Sequence, residues 1–114
     1  MKINLSFPPS VNGMFVTDWR TKRRCRSKKY KAWADFNIWV AHAEGEKVGG
    51  RVKVLYEFGR PDKRRRDVAN YEKAVSDLLV SAGIIEDDSL IEEMTLRWAD
   101  VEGVEITITQ LEGK

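Results

Sequence analysis

A chain of 114 residues carrying a formal net charge of +2 is the size of one domain, long enough for a core but with little to spare. Apolar residues at 42% and charged residues at 33% fit a globular protein of the cytoplasm, and no signal-peptide pattern or eighteen-residue apolar run is present to suggest otherwise. The single cysteine, Cys25, lies among Arg23, Arg24 and Arg26, which excludes an internal disulfide and a cysteine-rich zinc site.

Ile3, Leu5 and Phe7 alternate with polar residues and predict a first strand, which Pro8 and Pro9 must stop. Ser10, Asn12 and Gly13 then turn the chain into a second extended piece over residues 14 to 19. Residues 20 to 26 are so charged that they read as a loop, mobile or ordered by a ligand, with DNA backbone as that ligand. Ser27 is placed to cap a helix running to about residue 43, where Gly45 ends it. Tyr30, Trp33, Val40 and Ala41 share one side of that helix, whereas Phe36 and Trp39 lie well round from it. Apolar surface on two sides predicts two neighbours, hence a subunit interface. His42 reads as an ordinary helix residue.

Val52, Val54, Tyr56 and Phe58 predict a strand with one buried face. A basic loop follows, and then Val68, Tyr71, Val75, Leu78, Leu79 and Ala82 form one helical stripe that Gly83 terminates. Asp67 falls at the head of this helix as its cap or first-turn residue, with Asn70, Lys73 and Asp77 on its polar flank. Met94, Leu96 and Trp98 predict another strand, and Val104, Ile106 and Ile108 a last one, joined through Glu102 and Gly103. The expected fold is α+β: a two-layer domain in which two helices cover a small mixed sheet, with a right-handed strand–helix–strand unit at its centre.

Charge is divided along the chain. Residues 20 to 31 hold eight Lys or Arg and residues 60 to 66 hold five, while residues 86 to 114 hold nine acids against two bases. Two basic clusters beside one acidic constellation predict a polyanion-binding face. The candidate phosphate contacts are Arg20, Lys22, Arg23, Arg24, Arg26, Lys28 and Lys29 in the first cluster, and Lys63, Arg64, Arg65 and Arg66 in the second. Carboxylates next to such a face would repel phosphate unless a cation stood between them, and magnesium, which takes oxygen ligands and keeps several waters, suits Asp67, Asp87 and Asp88. Each acid also has an ordinary reading: Asp67 as a helix cap, Asp87 and Asp88 as turn residues, and Lys73 in an i,i+4 pair with Asp77.

At these positions the sequence resembles the RusA family of Holliday junction resolvases. The likeness is carried by Pro8-Pro9-Ser10 with Asn12, by Ser27 with Tyr30, by the basic run from Pro61 to Arg66, and by Asp67, Asn70, Lys73, Asp77, Gly83 and the Asp87-Asp88 pair. It implies a dimeric, magnesium-dependent endonuclease, with manganese as a substitute, that nicks four-way DNA junctions in recombination and repair. Asp67 and Asp88 would be metal ligands, Asp87 a further ligand or its support, Lys73 the catalytic cation, and Asn70 the residue that positions a carboxylate or water. The family pattern has a second aspartate two residues after the first, and Ala69 stands there, so impaired catalysis is expected. The alternatives are a junction-binding module that never cleaves and a nuclease indifferent to DNA structure, including one directed at RNA.

Overall fold

The computed structural model describes residues 1–111. Four strands form a mixed sheet in the order β1 (Lys2–Leu5), β6 (Val104–Gln110), β4 (Val52–Gly59), β5 (Ile91–Ala99). β4 runs parallel to β5 and antiparallel to β6, and β1 closes the other edge antiparallel to β6. The parallel pair requires a crossover, and α2 (Glu72–Ser81) supplies it. The predicted α+β class and mixed sheet are therefore both present.

Period-two patterning sets the layers. Val52, Val54, Tyr56 and Phe58 of β4, with Val104, Ile106 and Ile108 of β6 and Ile3 and Leu5 of β1, point to the helices and are buried. The opposite face carries Lys53, Glu57, Arg97 and Thr109 and stays open to water, with Arg97 paired to Glu57 across the β4–β5 step at 2.8 Å. β5 and β6 lie on either side of β4, so the chain between them must cross the end of β4. Gly59 makes that crossing possible: a Cβ there would stand 1.8 Å from the Val101 carbonyl oxygen. Gly103, at φ +66 and with its Cα turned against the Leu5 carbonyl, completes the passage.

α1 (Lys28–Glu44) begins as predicted, with Ser27 Oγ accepting the Tyr30 amide at 3.1 Å, and ends at Gly45. It buries Tyr30, Trp33, Ala34, Asn37 and Ala41, and leaves Phe36 and Trp39 in solvent. Asn37 is a core polar residue that the apolar pattern does not reveal. It is fully buried and satisfied: its Oδ1 accepts the Ser6 amide at 3.0 Å, and its Nδ2 donates to Ser6 Oγ and to the Trp33 carbonyl. Trp33 Nε1 donates to the Ser6 carbonyl, so one residue past β1 is gripped on both backbone groups by α1.

Two expectations need correction. Residues 20 to 26 are not all loop, because β2 (Phe15–Asp18) and β3 (Arg23–Arg26) pair antiparallel as a separate hairpin. Charge hides the strand in the sequence, and cation–π contact supports it: the Arg24 guanidinium lies 4.2 Å and the Arg26 guanidinium 5.3 Å from the centre of the Phe15 ring. The central helix does not begin after Asp67 either. A 3-10 turn over Val68–Tyr71 comes first, and α2 starts at Glu72. The tighter turn sets the Tyr71 ring among Phe7, Phe58 and Trp98, with centroids 4.8 to 6.3 Å away.

Candidate nuclease and nucleic-acid interface

Asp67 heads the 3-10 turn, and its Oδ1 accepts the Ala69 amide at 3.1 Å. That is the ordinary capping role, and it occupies one carboxylate oxygen of an exposed residue. Asp87 likewise caps the turn Asp88–Leu90. Its Oδ2 accepts the Ser89 amide at 3.0 Å and the Ser89 hydroxyl, and these bonds hold its carboxyl below the usual carboxylate range. Lys73 Nζ stands 3.6 Å from Asp77 Oδ1, the predicted i,i+4 pair.

Among the described residues no group of three His, Cys, Asp or Glu is placed to hold a metal ion. Asp67, Asp87 and Asp88 therefore do not form a three-acid pocket within one chain. Singly, Asp67, Asp87 and Asp88 remain hard oxygen donors of the kind a magnesium-type ion takes.

A polar chain beside these acids escapes motif reading. Ser76 Oγ donates to Glu72 Oε2 at 2.5 Å and lies 2.6 Å from the hydroxyl of Tyr56, which is fully buried on β4. Burial pushes the Tyr56 hydroxyl well above its ordinary pKa; the Ser76 bond opposes that rise, and the charges of Glu72 and Asp88 add to it. Glu72 and Asp88 thus both bear on one buried hydroxyl. Glu72 lies in the first turn of α2, next to Lys73. The available signal was its place four residues before Ser76 on the helix.

The two basic clusters differ in occupancy. In the loop after β4, Arg66 clamps Asp62 through Nη2 at 2.6 Å and Nε at 3.1 Å, and its Nη1 donates to the Tyr71 hydroxyl. The Arg66 bond, and then the Arg64 amide, hold the Asp62 carboxyl well below the usual range. Arg60 rests over the Trp98 ring at 4.7 Å. Lys63, Arg64 and Arg65 are exposed. In the hairpin, Arg20, Lys22, Arg23 and Arg24 are exposed, as are Lys28 and Lys29 in the first turn of α1. Arg26 reaches across to α2, its Nη2 3.3 Å from Asp77 Oδ2. This contact is ionic but off the line of a hydrogen bond, and Oδ2 has no other partner. Asp77 thus receives Arg26 on one oxygen and Lys73 on the other, which ties the hairpin to the helix of the site.

Fold and surface define the class: an α+β domain whose crossover helix carries a lysine between carboxylates, flanked by two cationic arms. The family model for the endodeoxyribonuclease RusA matches residues 6–109, and the chain belongs to that family. The crossover junction endodeoxyribonuclease of Enterobacteria phage HK97 is 40% identical over 95% of this chain and 92% of its own length. The like-named enzymes of Escherichia coli and phage 82 are 35% identical over 63 residues, so the chain spans about half the length of these relatives (52%). No helix among the described residues is long and apolar enough to cross a membrane.

Proposed function

We propose that this chain is a divalent-metal-dependent endonuclease that cuts phosphodiester bonds at branched DNA, the four-way junction above all, working as a homodimer. The family match across residues 6–109 carries the reading. Hydrolysis of a phosphodiester builds negative charge on the phosphoryl oxygens and on the leaving 3′ oxygen, and preorganised positive groups at those points lower the barrier. One or two of Asp67, Asp88 and Asp87 would hold magnesium or manganese, with waters and the bound strand supplying the remaining oxygens. The ion, when bound, would supply hydroxide at neutral pH and neutralise phosphoryl charge.

Lys73 is the cation that the chain itself brings. Its pairing with Asp77, which Arg26 shares, sets the half-exposed ammonium on the flank of a rigid helix, where it would meet a phosphate. Asn70, on the turn after Asp67, positions a carboxylate or a water. The exposed Phe36 and Trp39 on α1, at 63% and 79%, fit the second subunit, because a four-way junction offers two symmetric strands to cut.

Ala69 is exposed on the 3-10 turn, two residues past Asp67, so a longer acid fits there without disturbing the core. Ala69→Asp is expected to raise magnesium-dependent junction cleavage by about a hundredfold or more, and to tighten manganese binding in calorimetric titration, with DNA affinity little changed. If the substituted protein neither cuts junctions nor binds manganese more tightly, the nuclease reading fails. A second reading, a junction-binding module without cleavage, is favoured by Ala69 itself and would then stand.

A further inference from the structure

Trp19 is 84% exposed, the largest exposure of any large apolar side chain in the described residues. It opens the four-residue turn between β2 and β3, with Arg20, Lys22 and Arg23 next to it. An indole held in water gains little from folding, so its place at a cationic tip calls for a partner that is both anionic and flat. The exposed aromatics of α1 differ, since Asp35 is the immediate neighbour of Phe36.

The tip is preorganised. Asp18 Oδ1 accepts the Arg20 amide at 2.9 Å, the Asp18 carbonyl accepts the Lys22 amide at 2.6 Å, and Lys22 takes a left-handed φ of 58° to close the turn. The base of the hairpin is anchored to the body. The Ser27 hydroxyl and amide donate to the Gly13 and Met14 carbonyls, Met14 is fully buried, and the Arg26 guanidinium lies 4.7 Å from the Tyr30 ring centre while facing Asp77. The position of Trp19 is therefore referenced to the helix that bears Lys73.

We propose that the β2–β3 hairpin is a DNA-opening finger: its cations track the phosphates, and Trp19 stacks on a base exposed at the branch point. A junction centre presents base faces that a continuous duplex keeps stacked, so an aromatic wedge favours the branched substrate, while the flanking phosphate contacts bind any DNA alike. This rests on the branched-DNA reading above and adds the residue that confers the preference.

The test compares affinities of the 114-residue chain for an immobile four-way junction and for a linear duplex of matching arm sequence, without divalent metal. Trp19→Ala is expected to weaken junction binding about five- to a hundredfold, the range for loss of one stacked base. Linear-duplex affinity should change less than about threefold, the melting temperature should hold, and Trp19→Phe should restore most of the preference. Unchanged junction preference in Trp19→Ala, or equal loss on both DNAs, overturns the wedge and leaves the nuclease reading intact. A parent protein that binds junction and duplex equally overturns both.

Discussion

The two basic segments look alike in sequence and behave differently in the fold. In the loop at residues 60 to 66, cations serve structure: Arg66 holds Asp62 and Tyr71, and Arg60 covers Trp98. In the hairpin, cations near the base are tied in through Phe15, Tyr30 and Asp77, while those at the tip are left to water. A run of arginines is therefore not one surface. Where a carboxylate or ring stands within reach, the guanidinium is used inside the molecule, and only the remainder is offered to phosphate.

This contrast can be broken by substitution. Replacing Arg20, Lys22 and Arg23 together with alanine should lower the slope of log affinity against log salt by about 2 to 3 and cost at least tenfold in duplex affinity at low salt, with no change in melting temperature; filter binding across a salt series reads it. Arg66→Ala should do the reverse. It leaves the Tyr71 hydroxyl without its donor and Asp62 with only its Arg64 contacts, and should lower the midpoint of urea unfolding, with a smaller effect on DNA.

The Asp62 clamp has a pH signature. Its folded pKa lies below the ordinary value, so its stabilisation is full above the usual carboxylate range and is lost as pH falls through the folded value. Arg66→Ala should flatten that acid-side decline.

Tyr56→Phe tests the buried chain beside the acids. The raised Tyr56 pKa means that its contribution is full below about pH 10, the ordinary tyrosine value, and declines as pH rises from there toward the folded value. The phenylalanine variant should lose about 1 kcal/mol at neutral pH and show a shallower alkaline decline. Smallest of all, Lys63→Ala should reduce the salt slope by about 1 and leave stability alone, because Lys63 is exposed.

The sequence by itself determined the layers, because period-two runs such as Val52, Val54, Tyr56 and Phe58 can bury only one face, and because Ser27, Gly45 and Gly83 punctuate helices through local backbone chemistry. It also singled out Asp67, Lys73, Asp87 and Asp88, whose spacing the family resemblance made legible. Only the tertiary structure decided that residues 23 to 26 are a strand, that α2 waits until Glu72, that Asn37 sits in the core, and that Arg26 meets Lys73 through Asp77. Those outcomes depend on partners beyond the local repeat: the Phe15 ring on the paired strand to cover a guanidinium and, much farther along the chain, an aromatic cluster to receive Tyr71 and a backbone at Ser6 to satisfy an amide. Local periodicity carries no record of a contact whose two halves are thirty or fifty residues apart.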